Sequence, residues 1–355
     1  MSLMNPLQSE PNCLPDKSWH IFTGNGNPHE GIEKLPLPPR WRAFEGNVAF
    51  ERPVPKDETS ARRFLRPDGE RSVYHATPKI LDMVNAALYL RRPLVVTGKP
   101  GTGKSTLAHA VAWELKLGPV LNWPITSRVV LQEALYRYDA LGRLEEVNML
   151  RLRHKNEDES LVEPDIGQYI RLGPVGTAFL PSKRPRVLLI DELDKSDIDL
   201  PNDLLHLFEE GSYEIPELAR LAKKDSAKKI VHVLAADGTD TVAIQDGRVT
   251  CTQFPFVVIT SNGERELPTA LLRRCLRLDI EPPTVQDIEA IIETHFGVAD
   301  EATQARRATL IKEFFEAKNT GHLATDQLLN AIYLAGRLNR DFETIKDDVL
   351  RQLER

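Results

Sequence analysis

One stretch constrains this chain more than any other: RRPLVVTGKPGTGKSTLAHAVAWELK, residues 91–116. An apolar, β-branched run stops at Gly98. After four intervening residues comes Gly103-Lys104-Ser105, and a helix-forming segment then runs on to a stop at Gly118-Pro119. Between a strand and a helix, such glycines let backbone N–H groups turn inward and cradle phosphate oxygens, and the helix N-terminus favours their negative charge. The expected cradle is Gly98, Pro100, Gly101, Thr102 and Gly103, with Lys104, Ser105 and Thr106 at the helix start. Lys104 would reach the β- and γ-phosphates, and the Ser105 hydroxyl would ligate Mg²⁺. ATP and Mg²⁺ are the cofactors this pattern calls for.

The rest of the chain continues the alternation. PVLNWPIT, PRVLLIDE, FPFVVITSN and CLRLDIEPP read as strands, and NDLLHLFEEG as a helix. Thr77-Pro78 opens a further helix, with proline near its first position. Strands alternating with helices predict an α/β fold, a mostly parallel sheet covered on both faces. After Pro282-Pro283 only helical patterns remain, among them DIEAIIETHF and DDVLRQL. Residues 73–282 are therefore expected to form the nucleotide-binding domain and 283–355 a helical lid. Two stretches break the alternation. Residues 127–180 form an insertion with the charged loop RHKNEDES. Residues 229–253 carry Asp237-Gly238 and Asp246-Gly247 between β-rich runs, which predicts a hairpin. Residues 1–72 hold ten of the 25 prolines and few apolar runs, the composition of an extended wrapping segment. Its rings Trp19 and Trp41 are expected to dock.

Three further groups carry chemistry. Asp191 and Glu192 end the apolar strand VLLIDE, where ligand sites of open α/β sheets lie. Asp191 can hold Mg²⁺ through water, and Glu192 can act as base on an attacking water. Asn262 ends the next buried strand and can hydrogen-bond both that water and the γ-phosphate. Arg273 and Arg274 lie too far along to share this cradle. A guanidinium completing a neighbouring subunit's site is the economical reading, since it supplies positive charge as phosphoryl charge spreads.

These residues resemble the AAA+ ATPases, a P-loop NTPase family, and within them the MoxR-like group, over about residues 75–350. GKPGTGKS is similar to Walker A, VLLIDE to Walker B, and ITSN to the sensor 1 strand. LPTALLRRC resembles the segment carrying the arginine finger. The group's finger precedes an aromatic or apolar residue, which makes Arg274 the first choice, and Arg273 falls where the group often has an acid. LDKSDIDLPNDLLHLFEEGSYEIPE resembles the signature after Walker B. The insertion with IRLGPVGTAFL resembles a helix-2 insert, and the Asp-Gly turns a pre-sensor-1 hairpin. PLPPRWRAF and NGERELP resemble versions found in bacterial multi-gene conflict systems. The resemblance implies a ring, expected to be a hexamer, that converts ATP and water to ADP and phosphate and remodels a client protein, often with a partner bearing a von Willebrand A domain. One departure stands out. The lid stretch LATDQLLNAIYLAG has Asp326 and Gln327 where the family's sensor 2 arginine is expected, and Arg337 comes about three turns later.

Composition narrows the alternatives. With 46 basic against 52 acidic residues and a net charge of −6, the chain is not a general nucleic-acid coat. The basic run AKKDSAKK reads as a solvated loop. A nucleic-acid motor is thus a weaker alternative, to be revived only by stimulation of turnover by DNA or RNA. The other alternative is a regulatory switch that binds ATP and signals, against which an intact Glu192 and Asn262 count. Cys13, Cys251 and Cys275 are far apart and odd in number, as in a reduced protein without disulfides. The histidines show no metal-ligand spacing, and His206 and His232 read as structural. No stretch is apolar enough to span a bilayer. A cytoplasmic protein without a membrane partner is expected. Tyr136 and Tyr138 fit either a channel lining or ordinary packing of the insert.

Overall fold

A computed structural model of the chain describes residues 19–56, 74–153, 164–224, 229–238, 241–297, 301–318 and 325–338. Its centre is a five-stranded parallel sheet made of β1 (Leu94–Thr97), β2 (Leu121–Pro124), β3 (Val187–Asp191), β4 (Phe256–Ser261) and β5 (Leu276–Asp279), in the order β5-β1-β4-β3-β2. These are the strands the sequence marks out, and the α/β P-loop architecture is as expected. Successive side chains of a strand face opposite ways. Along β3, Leu188 and Ile190 enter one core while Val187 and Leu189 enter the other. Along β4, Val257 and Ile259 are divided from Phe256 and Val258 in the same manner. Covering on both faces is why these strands read as unbroken apolar runs.

One face is covered by α1 (Pro78–Leu90) and α2 (Lys104–Glu114). Thr77 caps α1, its hydroxyl accepting from Ile80 N–H at 3.4 Å, with Pro78 at the first position. The opposite face packs α3 (Leu200–Glu210), the short helices Leu131–Leu135 and Pro174–Ala178, and a second sheet. After Pro283, α4 (Val285–Phe296), α5 (Glu301–Lys318) and α6 (Thr325–Leu338) share a separate core built on Ile288, Ile292, Phe314, Leu328 and Ile332. A capping box between Thr284 and Asp287 starts α4. The DDVLRQL stretch and Cys13 lie outside the described residues.

The two stretches that break the alternation build the second sheet together with Ser212–Glu214, the strand that follows α3. Its six strands run, in spatial order, Tyr136–Tyr138, Ile170–Leu172, Ile230–Leu234, Thr241–Gln245, Arg248–Thr250 and Ser212–Glu214. The expected hairpin is therefore a three-stranded meander, Ile230–Leu234, Thr241–Gln245 and Arg248–Thr250, within this sheet. Its second turn has Asp246 at φ 53° and Gly247 at φ 71°, the left-handed pair a two-residue hairpin turn demands. Tyr136 is buried, and its hydroxyl donates to Glu217 Oε2 at 2.9 Å, so ordinary packing is its role in this chain. Most of RHKNEDES and residues 225–228 of AKKDSAKK lie outside the described residues.

Residues 19–56 lie along both faces of this body. Ile21, Phe22 and Ile32 enter the core beside α1 and α2. Asn85 Oδ1 accepts from Ile21 N and Phe22 N, at 2.7 and 2.9 Å. Glu114, 1% exposed at the end of α2, accepts from Thr23 N, Gly24 N and Gly26 N at 2.6–3.2 Å. Further on, Arg42 reaches Phe208 O at 2.7 Å and stacks over Phe254. Arg52 shares Asp237 with the buried Arg186. Trp19 docks edge-on against Tyr89, as the sequence leads one to expect, but Trp41 is 77% exposed. The neighbouring Arg42, not the ring, anchors that part of the segment.

Candidate active site

The register of the sheet sets the site. Thr97 of β1 pairs with Ser261 of β4 and with Asp279 of β5, so the carboxyl ends of three strands lie level. The loop after β1 emerges at this edge beside the point where the strand order reverses, the place such sheets offer a ligand. Two of its glycines are required by geometry. A Cβ on Gly98 would lie 2.7 Å from Ile280 O. Gly103 has φ 81°, and a Cβ there would sit 3.4 Å from the Tyr74 ring. Gly103 then caps α2, whose first residue is Lys104.

Lys104 is 7% exposed. Its ammonium donates to Gly98 O at 2.7 Å and Lys99 O at 2.9 Å, so it closes the loop on itself. Burial pushes its pKa down, while Asp191, Asp194 and Glu192 oppose that shift.

Across from the loop, Ser105 Oγ donates to Asp191 Oδ1 at 2.7 Å, and Thr260 Oγ1 donates to the same oxygen at 2.6 Å. Glu192 N–H in turn donates to Thr260 Oγ1 at 2.8 Å. Glu192 has φ 63°, a left-handed backbone uncommon for a side chain of this size. Its Oε1 accepts from Asn262 Nδ2 at 3.1 Å and its Oε2 pairs with Lys195 Nζ at 2.9 Å. That hydrogen bond holds the Lys195 pKa above its ordinary value. Phosphate loop, Ser105, Asp191, Glu192 and Asn262 thus stand together on one edge.

Arg273 and Arg274 do not join them. They precede β5 at the amino edge of the sheet, where Leu276 N donates to Pro93 O. A four-residue strand separates this edge from the phosphate loop, about 13 Å at the strand rise. Arg274 pairs with Glu209 near the end of α3 and donates to Ala270 O at 3.1 Å. Arg273 is exposed. In the lid, Asp326, Gln327 and Arg337 all lie within α6, the two former at the start of its described residues and Arg337 near their end.

Sequence reading missed four residues of this edge. Thr260 bridges Asp191 and the Glu192 backbone. Asp194 accepts from Asn262 N and Glu264 N, both at 3.0 Å. Thr97 donates to Asp279, and Tyr74 covers Gly103. One signal was available: Thr260 is a polar residue inside an otherwise apolar buried strand, a place where a hydroxyl needs a partner.

The donor set fits Mg²⁺. A hydroxyl and a carboxylate meet beside the phosphate loop, hard oxygen ligands suited to an ion that completes its shell with water and phosphate. Among the described residues no cluster of three or more His, Cys, Asp or Glu could hold a metal alone. The loop fits phosphate through its left-handed glycines, Gly101 at φ 76° and Gly103 at φ 81°, which let backbone N–H groups turn inward ahead of the α2 N-terminus. No helix of the described residues is long and apolar enough to cross a membrane.

The family model described as AAA domain (dynein-related subfamily) matches residues 93–275, just over half of the 355-residue chain. No curated protein matches the chain.

Proposed function

Because the chain belongs to the AAA family, dynein-related subfamily, with the ATP-dependent activity that family implies, we propose that it is a ring-forming ATPase of the MoxR-like group whose hydrolytic cycle remodels a client protein. The observation that carries the reading is the Asn262–Glu192 contact beside the Ser105–Asp191 pair. A nucleotide kinase or a passive ATP-binding switch has no need of a carboxylate held by an amide at the γ-phosphate end of the cradle.

In this reading the backbone N–H groups of residues 101–103 and the start of α2 bind the phosphates, and Lys104 exchanges its two carbonyl partners for phosphate oxygens. Ser105 and Asp191 would hold Mg²⁺, which neutralises phosphate charge when bound. Glu192 takes a proton from the attacking water. Asn262 orients that water and keeps the Glu192 carboxylate aimed at it. Arg274, with Arg273 as the other candidate, serves the neighbouring subunit's site. The lid offers no arginine at the start of the described residues of α6. It meets the core instead through His75 Nε2 and Asp287 Oδ1, 3.1 Å apart, so lid movement bears on the linker that carries Tyr74. The residue 1–72 segment wraps the domain, the insert of residues 127–180 and the meander lie over one face, and a partner with a von Willebrand A domain fits the group. The conflict-system version and a cytoplasmic location belong to the same proposal.

The test is Glu192→Gln. It keeps size and hydrogen bonding but removes the base, so ATP binding should persist while turnover falls about 10²–10⁴-fold. Turnover near that of the native chain would remove the hydrolytic reading. The same variant, held in its ATP state, is the bait for identifying the client by mass spectrometry.

A further inference from the structure

We propose that Asp194 is a positioning residue for hydrolysis, its carboxylate fixing the loop that aims Asn262 at Glu192. The inference rests on the roles given above to Glu192 and Asn262.

β4 ends at Ser261, so the Asn262 N–H lies beyond the last residue of the strand. Gly263 follows with φ 79°, and nothing lies within 4 Å of where its Cβ would be. A loop starting this way has little packing to hold it, and the Asn262 side chain adds two rotatable bonds. Asp194 supplies the missing constraint. It is 4% exposed, and its Oδ2 accepts from Asn262 N and from Glu264 N, each at 3.0 Å. Arg265 adds a bond from its guanidinium to Ser196 O.

Asp194 itself stands in the turn Leu193–Lys195, directly after Glu192. The same turn carries Lys195, which pairs with the other Glu192 oxygen. One short segment therefore presents the base, clamps it with Lys195, and clamps the loop that bears its amide partner. A carboxylate is costly to bury unless it is hydrogen-bonded, and two backbone donors on one oxygen are a strong reason for it to stay in place. The second oxygen, Oδ1, is buried without a hydrogen-bond partner. The site thus uses Asp194 as an acceptor through one oxygen, a role an amide oxygen can also perform.

The experiment is a double-mutant cycle on full-length, assembled protein, reading kcat, ATP affinity and thermal stability. Asp194→Ala should lower kcat about 10- to 100-fold, the range expected when a catalytic group is misplaced by about 1 Å, and leave ATP affinity within about threefold. Asp194→Asn, which can place its amide oxygen where Oδ2 lies, should keep most of kcat. In an Asn262→Ala background, Asp194→Ala should cost no more than about another twofold, since there is no amide left to position. Full kcat in Asp194→Ala overturns the proposal. So does a loss that is undiminished in the Asn262→Ala background, which would mark Asp194 as a structural residue only. If Asp194→Ala does not fold, Asp194→Ser, too short to reach the loop, takes its place in both backgrounds under the same criteria. If Asn262→Ala alone turns over normally, the fault lies in the assignment of Asn262, and the proposal falls with it.

Discussion

At the carboxyl edge of the central sheet the polar groups bond to one another. Lys104 closes on Gly98 and Lys99, Ser105 and Thr260 converge on Asp191, and Asn262 meets Glu192. At the amino edge, Arg273 projects into solvent and Arg274 is held by Glu209, a pair with side chains 39% and 47% exposed. The carboxyl edge has what is needed to bind a nucleotide and to activate water. Lys104 and Lys195 there are already engaged with carbonyls and with Glu192, while the other edge displays the guanidiniums of Arg273 and Arg274. In the proposed ring the two edges would be parts of one site that meet only between subunits.

The largest expected effect comes from breaking that division at Arg274. Arg274→Ala should bind ATP normally and lose about 10³–10⁵ in kcat, the usual worth of a supplied arginine. Lys104→Ala should fail for the other reason, weak ATP binding, because its ammonium contacts the phosphates in the ground state. Mixed before nucleotide is added, the two inactive variants should regain activity. An Arg274→Ala subunit keeps its phosphate loop, and a Lys104→Ala neighbour lends it an arginine. Recovery should rise with protein concentration, since the site exists only at a contact. If subunits exchange and the mixture stays inactive, Arg274 does not act across the interface, and the same mixing with Arg273→Ala decides whether its neighbour does.

A middle effect comes from loosening the carboxyl edge without removing any group that touches nucleotide. Thr260 is fully buried, and its hydroxyl links Asp191 to the Glu192 backbone. Thr260→Val keeps the shape but leaves the Glu192 N–H without its acceptor and Asp191 with one donor fewer. Stability should fall by about 1–3 kcal/mol, the cost of an unsatisfied buried polar group, measured by chemical denaturation. Turnover should fall while Arg274 complementation still works. An unchanged midpoint would mean that this edge is less tightly coupled than its hydrogen bonds imply.

The two edges also differ in how far they can be read from sequence. The phosphate loop, Asp191, Glu192 and Asn262 were legible because each sits at a fixed offset from a buried apolar strand, and the register of a parallel sheet brings such strand ends level. Thr260 and Asp194 were not singled out, because what makes them matter is a partner close to 70 residues away in sequence. The six-stranded second sheet was visible only as a hairpin, since four of its strands are three residues long and too short to show a period. Glu114 is a charged residue buried at a helix end. Its burial depends on the Thr23–Gly26 backbone folding over it, which local sequence does not announce. Trp41 misled in the opposite sense: a large ring in a proline-rich segment suggests docking, yet the contact is made by Arg42.

The smallest expected effect tests whether the amino edge is as loosely held as it looks. The Glu209–Arg274 pair is more than a third exposed on both sides, and surface pairs of this kind contribute about 0–1 kcal/mol. Glu209→Gln should therefore leave stability nearly unchanged. It should also leave kcat within about twofold, because an arginine that acts on a neighbour must be able to leave Glu209, and Ala270 O still offers it an anchor at 3.1 Å. Raising salt should narrow even this difference, since it screens exposed pairs. The informative failure is a loss of turnover approaching that of Arg274→Ala with ATP binding intact. Glu209 would then be aiming the guanidinium, and the amino edge would be as pre-organised for its neighbour as the carboxyl edge is for its own nucleotide.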